Sequence, residues 1–599
     1  MCAPRLALGI ALMLLAPNAA LAVQVLSGPT LTMNPNGTTP LAGVVEFETD
    51  LPVGAELTII DGNDVRTIDF PREVQVHYLP VLGLKPGQTY AVKVAILPGQ
   101  MIGTLSATTG PLPADFPARI VHVSTPLAME PGYTLLDCFS RGGDHRPGYT
   151  MILDAVGDVV WYTTQCWSGV LQRPNGELMA RTNQTLTWMD MVGNLRSLHL
   201  QDPGLGLHHE IEPTPHGTYL SLTAHSVAVP AFPTSQTDPH APLAPATLHD
   251  ESVVEFLPDG SLRREWPLLE LTDPQRIGYD SLNSTAPGLD WVHTNAATYN
   301  ASDDSIVVSS RHQDALYKFS RRTGQLIWIL GNHANWSAAF QPYLLDPVGT
   351  PFRWQYHQHA PMWTAAGTLL VFDNGNYRAS PFDGTTPVPE AQNFTRGVEF
   401  QIDENLMQVR QVWQYGENAP ERLYSYFIGD ADSLPVTGNR LLVLGGVSYV
   451  NGASSASLGL GPSHSRIIEV TDDAAPVKVF DVTLYDPTGG QINIYRGEKI
   501  PSLNPPQDVM APNGVGNTLT LAKISGEPML SWMVSPVDTA HSPADYYVVY
   551  ESCSAAHSFA IFDSTANTHI GSGDRPDPMV FYMVVAANSA GTSRDEPTP

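Results

Sequence analysis

Short runs in which apolar and polar residues alternate one by one recur along this chain. Four of them close on a tryptophan: GDVVW at Trp161, DGSLRREW at Trp266, TGQLIW at Trp328 and ENLMQVRQVW at Trp413. A period of two is that of a strand, whose successive side chains point to opposite faces. Between these runs stand matching phrases, PNGELMA, PHGTYLSL, AAGTLLVF and TGNRLLVL, in which Gly176, Gly217, Gly367 and Gly438 mark hairpin turns opening onto apolar strands. With weaker copies near Leu198 and in VKVFDV, which ends at Val482, the repeat gives six units between residues 116 and 505. Short strands repeated this way, with almost no helical period, predict a six-bladed β-propeller. The Pro-rich stretch from His225 to Asp250 is unlike a strand and is expected to be a long ordered loop, a lid or binding loop.

Both flanks alternate without that signature. Residues 23–115 run into LGLKPGQTYAVKV, where Leu84, Pro86, Gly87 and Tyr90 resemble a tyrosine corner, and are expected to form a β-sandwich. Residues 511–599 hold MLSWMV, ADYYVVYES and FYMVVAANSAGTS, which resemble a fibronectin type III module with Trp532 as its core indole. The predicted class is thus all-β, a propeller between two sandwiches. A length of 599 residues demands such a division, since one ordinary core does not grow that large, and 49 Gly and 52 Pro suit a turn-rich chain.

Charge narrows the partners. With 31 Lys and Arg against 59 Asp and Glu, the formal charge of −28 argues against nucleic acid, because no surplus of cations exists to displace its counterions. Residues 1–22 combine Arg5, an apolar run from Leu6 to Leu15 and small residues at Ala20 and Ala22, the pattern of a cleaved secretory signal peptide. The run is too short to span a bilayer, and no later segment reads as a membrane span, so a periplasmic or secreted protein is expected. In an oxidising compartment Cys138 and Cys166 could pair, leaving Cys553 alone.

The repeat also serves as a ruler. His209 and His359 each lie eight residues before a turn glycine, Gly217 and Gly367, and Asp430 stands at the same place before Gly438. HTNAATYNASDD, laid on this frame with a two-residue insertion, adds His293. Matching positions on the innermost strands of a propeller converge on one axis, so three imidazoles would share a funnel. A lone strand histidine is more often packing than chemistry, and three in register favour a site. His208, His312 and His357 neighbour these positions and fit supporting or packing roles, although His357, two residues from His359, would share its face in an extended segment. Arg311, eighteen residues after His293, can return to the same mouth and offer an oxyanion its planar fork, or else serve a structural ion pair. Trp291, Tyr356 and Trp363 are candidate aryl-ring contacts or core residues, and Asn295 a candidate to orient His293.

The run DWVHTNAATYNASDDSIVVSSRHQDALYKFSRRTGQLIWILGNHANW, with QHAPMW, FDNG and IYRGEKIPSL, resembles the bacterial arylsulfate sulfotransferases that work without a nucleotide sulfate donor. The resemblance covers the repeat and, more loosely, the N-terminal sandwich. It implies a periplasmic six-bladed propeller that moves a sulfuryl group from an aryl sulfate to a phenol through a sulfated histidine. The nucleophile falls on His359, and the family's remaining polar residues fall on His209 (within the His208–His209 pair), His293 and Arg311. The stretch between Arg311 and the QH motif is shorter than in the family, and the C-terminal sandwich is an addition; both bear on acceptor range. The scheme needs no metal or other cofactor, its partners are small aryl sulfates and phenols, and the sequence leaves monomer or homodimer open. Two other classes stay open: a zinc enzyme built on the three histidines, and a noncatalytic propeller binding sulfated or anionic ligands.

Overall fold

In the computed structural model, residues 23–62, 64–137, 148–285, 288–457 and 460–504 are described, together with residue 506 and, in the C-terminal region, residues 519–524, 527–534, 544–552, 560–566, 569–571, 581–588 and 591–592. Residues 1–22, Cys138 and Cys553 lie outside them. The chain falls into two compact units, the smaller taking in Val44–Leu79 and Tyr90–Ala107 with the residues before 32. Its sheet runs Val25–Met33, Gly43–Asp61, Thr89–Ile96, Gln100–Thr108, with Asp64–Val81 also paired to the second strand. Alternation dictates its core: Val45, Phe47, Leu57 and Ile59 are buried while Glu46 and Glu48 are exposed.

Among its described residues the larger unit contains six sheets that share a four-strand antiparallel core. In five of them the first strand joins the next by a tight turn, in the sixth Gly497–Ile500 pairs with Tyr133–Leu136, and in each the fourth strand carries the tryptophan-type line or its weaker copy. The sheet His208–Pro213, Tyr219–Phe232, Ala244–Phe256, Leu262–Pro267 ends with Trp266; Thr294–Asn300, Ser305–Ser310, Ala315–Ser320, Leu326–Gly331 ends with Trp328; His359–Trp363, Leu369–Asp373, Arg396–Asp403, Gln408–Tyr415 ends with Trp413. The weaker copies take the same place, in Leu195–His199 and Lys478–Tyr485. The four turn glycines share φ between 75° and 87°, a left-handed conformation that an L side chain resists.

Two sheets mix strands from the two ends of this region. Ala118–Ser124 pairs with Lys478–Tyr485, and Gly497–Ile500 pairs with Tyr133–Leu136. Such pairing closes the row of sheets, since no sheet at either end is left to stand alone.

The Pro-rich stretch overturns its expectation. It forms the outer half of one long ribbon, in register from Tyr219 opposite Phe256 to Phe232 opposite Ala244, with residues 233–243 as its tip. Proline is tolerated there because the ladder slips between Val229 and Phe232, around Pro230, where no donor is required. At the C-terminus, Thr520–Ile524, Glu527–Ser531 and His569–Gly571 form one sheet, and Ala560–Thr565, Tyr546–Ser552, Phe581–Asn588 and Gly591–Thr592 another, in those spatial orders. Trp532 is buried against the edge of Tyr547, with ring centroids 5.5 Å apart. Arg263 holds this region to the third-strand turn of its neighbour through two bonds to Asp563, of 2.6 and 2.7 Å.

Candidate active site

Irregular backbone places the histidines. The three histidine-bearing inner strands each begin with a slip in the ladder: between His208 and Ile211, between Thr294 and Ala296, and between His359 and Met362. His209, His293 and Ala360 at these slips have φ of 60°, 47° and 47°. Left-handed non-glycine residues cost about 1–3 kcal/mol each and gather where function holds them in place. The slips also revise the alignment. His208 pairs with Leu222, His359 with Phe372 and Asp430 with Val443, each partner five residues beyond its turn glycine. His208, not His209, is therefore the ladder equivalent of His359, and His209 occupies the bulge.

The expected groups nevertheless meet. The His209 ring lies 5.3 Å from His293, and His293 lies 4.7 Å from His312. Tyr495 stands between His209 and His359, with centroids 5.9 and 6.5 Å away. Arg311 donates from Nη1 to His312 Nε2 at 2.7 Å, and the charge of Arg311 is felt at His359. Arg311 is buried, and its Nε has no partner among the described protein groups.

Hydrogen bonds fix which nitrogens are free. Asn374 donates its amide to the carbonyls of Ser425 and Ile428, so its Oδ1 is an acceptor and takes the Nδ1–H of His359 at 2.7 Å. That leaves the lone pair on His359 Nε2. Burial, then the Arg311 guanidinium, holds His359 well below the ordinary imidazole range, so the ring is neutral. His293 gives Nδ1–H to Asp290 Oδ2 at 2.6 Å. Burial opposes the Asp290 charge, but the bond to His293 outweighs it and holds the carboxyl at about 2. His209 and His208 share a proton between their Nδ1 atoms, 2.6 Å apart; burial first, then Arg181 for His208 and the adjacent His208 ring for His209, depresses both, His208 to about 3.

His312 donates Nδ1–H to the Asp290 carbonyl at 2.6 Å while accepting from Arg311, so it is a neutral prop for the guanidinium. Asp290, Asn374 and Tyr495 were missed as site residues. DWVH carried Asp290 three residues before His293, FDNG carried Asn374, and IYRGEKIPSL carried Tyr495, but their roles depend on contacts between distant strands.

Five assignments are corrected. Trp291 is fully buried in the hydrophobic core beside Phe232, its Nε1 donating to the Arg276 carbonyl. Tyr356 is buried, its hydroxyl accepting from Asn332, and Trp363 packs on a separate core cluster under Lys318. Large apolar surface draws all three into packing. Asn295 does not orient His293; its amide donates to the Gln358 carbonyl, and its own carbonyl receives the Tyr495 hydroxyl. His357 does not share a face with His359, because its φ of 51° breaks the extended run, and both its nitrogens are occupied, by Asp314 at 2.8 Å and Asp280 at 3.1 Å.

In front of Arg311 opens a cavity of about 540 Å³ walled by Tyr377, Tyr424 and Tyr426, with Asp280, Asn376 and Glu390 among its polar groups. Two sets of side chains bring potential metal-ligating atoms within 4.8 Å of one another, Asp280 with His312 and His357, and Asp290 with His293 and His312. Among the described residues both sets include His312, whose Nε2 accepts from the Arg311 guanidinium, which a dication would repel, and whose Nδ1 is bonded to the Asp290 carbonyl. Neither set is the triad of His209, His293 and His359.

The described chain is thus an all-β protein that gathers the His209, His293 and His312 rings beside the buried Arg311, which also lines a tyrosine-walled cavity. The chain belongs to the arylsulfotransferase family: the family described as Arylsulfotransferase (ASST) matches residues 125–496, and its Ig-like domain matches residues 30–109. It is 27% identical over 342 residues to the arylsulfate sulfotransferase AssT of Escherichia coli O6:H1, covering 47% of this chain and 54% of that one. To the AssT of Lelliottia amnigena it is 26% identical, with the same coverage. The chain thus spans about half the length of the curated relatives it matches. Among solved structures, virginiamycin B lyase from Staphylococcus aureus aligns with a TM-score of 0.25 and 11% identity, over 63% of this chain and 89% of that one.

Proposed function

We propose that this protein transfers a sulfuryl group from an aryl sulfate to a phenol, without a nucleotide donor, through a sulfated His359. The single observation that carries the reading is the tautomer of His359: Asn374 holds the Nδ1 proton, burial keeps the ring neutral, and Nε2 is left as a nucleophile beside Arg311. The names of its relatives support the substrate class.

His359 Nε2 attacks sulfur in line and the bond from sulfur to the aryl oxygen breaks. The departing oxygen takes the proton of His293 Nε2, and Asp290 stabilises the imidazolium from which it comes. Arg311, through its unpartnered Nε, and His209 meet the charge on the peripheral sulfuryl oxygens, where fixed donors contribute most. The Nδ1–H bond to Asn374 persists in the sulfated ring. A phenol then gives its proton to neutral His293 as its oxygen attacks sulfur, and the bond from sulfur to Nε2 breaks, returning the starting state.

In this reading the six sheets are six blades, the inner strands carry the site, the C-terminal sheets form a fibronectin type III-like module, and the protein works in the periplasm or outside the cell. The test is intact-mass measurement after brief exposure to 4-nitrophenyl sulfate without acceptor. One added sulfuryl group on the parent, absent from His359→Asn, is expected; an unmodified parent that still transfers sulfate to phenol overturns the covalent route.

A further inference from the structure

The cavity in front of Arg311 carries more than a sulfate requires. Its volume of about 540 Å³ holds a substituted single ring, and the faces of Tyr377, Tyr424 and Tyr426 supply aromatic walls. One guanidinium, Arg311, and two carboxylates, Asp280 and Glu390, line it. Asp280 is already engaged: its Oδ2 meets His357 and its Oδ1 receives the Tyr377 hydroxyl at 3.0 Å. Glu390 is held differently. Its Oε2 receives the Ala456 N–H at 2.8 Å and the Ser455 hydroxyl at 3.2 Å, which fix the carboxylate without neutralising it, and no ion pair to a cation forms there among the described residues. Tyr377 and Tyr424 lie within the fields of both ends. Burial, then Asp280 and Glu390, push the Tyr377 hydroxyl up while Arg311 pulls it down; for Tyr424 burial and Glu390 raise it and Arg311 again opposes.

Resting on the transfer reading above, we propose that Glu390 makes this cavity selective for phenols and aryl sulfates whose ring carries a protonated amine arm. Arg311 takes the sulfuryl end, the tyrosine faces take the ring and the amine's flank, and the Glu390 carboxylate takes its N–H donors. Ammonium groups favour aromatic faces as well as carboxylates, so walls and charge select the same arm. The net charge of −28 adds a field that draws cations and repels anionic rings of equal size. Substrates of this kind come from reactions that decarboxylate aromatic amino acids.

Three acceptors of matched size separate the ideas: tyramine (cationic), 4-ethylphenol (neutral) and 4-hydroxyphenylacetate (anionic), with 4-nitrophenyl sulfate as donor at low salt. In the parent, kcat/KM for tyramine is expected to exceed that for 4-hydroxyphenylacetate by about tenfold or more, with 4-ethylphenol between. Glu390→Gln should cut that ratio at least threefold, chiefly through KM for tyramine, and Glu390→Lys should reverse it. Glu48→Gln, an exposed change of equal charge on the amino-terminal sheet, should leave the ratio as it is. Equal use of the charged acceptors by the parent, or an unchanged ratio in Glu390→Lys with a parent-like melting curve, overturns the assignment. A parent that uses none of the three overturns the transfer reading and this inference with it, whereas turnover of 4-ethylphenol without charge preference overturns this inference alone.

Discussion

His357 and His359 stand two residues apart, and the structure gives them opposite work. His359 opens a strand, has one nitrogen tied to a neutral amide and one free, and is pressed toward the neutral form by burial and by Arg311. His357 sits before the strand in a left-handed bend, between Asp314 and Asp280, and although burial opposes it, those carboxylates raise its proton affinity above the ordinary value. One ring is kept as a base with an open lone pair. The other is held between two acids that favour its protonated form. Residue type and spacing are nearly identical, so the partners of each nitrogen decide which imidazole can react.

That contrast can be broken most strongly at His359. His359→Asn should reduce transfer by about 10⁴-fold or more while the chain stays folded, as removal of a nucleophile does; a residual rate near the parent's would move the chemistry elsewhere. Arg311→Ala should lower kcat by about 10²- to 10³-fold with a parent-like melting curve, measured side by side, because it removes charge stabilisation at the reacting oxygens. Asp290→Asn should lose about 10²-fold, and more with donors whose leaving phenols are poor acids than with 4-nitrophenyl sulfate, since those need the proton most.

His357→Gln should show the converse, costing about 3 kcal/mol of stability with a smaller effect on rate, because it leaves the buried Asp314 and the half-buried Asp280 without their shared partner. The pH dependence has a definite sign. A folded-state affinity above 6.5 makes the His357 contribution complete below that pH and lost as pH rises through the folded value, so the melting gap between parent and variant should narrow from pH 6 to pH 9. For His359 the folded value lies below 6.5, so the pre-steady-state rate of self-sulfation should stay flat from pH 7 to about pH 5. An acid limb centred near 6.5 would mean a solvated ring. Least of all, Trp363→Phe should change kcat/KM by less than about twofold, since that indole packs away from the cavity.

How much was legible in the sequence follows from how local each signal is. Alternation and the glycine turns are short-range properties, and the tryptophan lines did become the fourth strands of their sheets. His209, His293 and His359 were found by treating the repeat as a ruler and Arg311 by its place on the strand after His293, and the structure brings them into one neighbourhood. The ruler failed by one residue at His208 and His209, because a ladder slip adds a residue that no composition announces. Aromatic residues misled for a related reason: Trp291 and Trp363 stand beside reactive motifs in sequence yet turn their rings into packed cores, whereas Tyr377, Tyr424 and Tyr426 come to the cavity from connections without a repeat signature.

The amino-acid order by itself determined the strands, their turns and the four groups most suited to sulfuryl chemistry, because side-chain alternation and backbone preference act over a few residues. Only the folded chain decided that Asn374 would hold one proton of His359, that Asp290 would hold one of His293, and that Glu390 would face the same cavity as Arg311. Those outcomes depend on atoms placed within about 3 Å of each other by strands far apart in the chain, and a hydrogen bond's direction is set at that range and nowhere else.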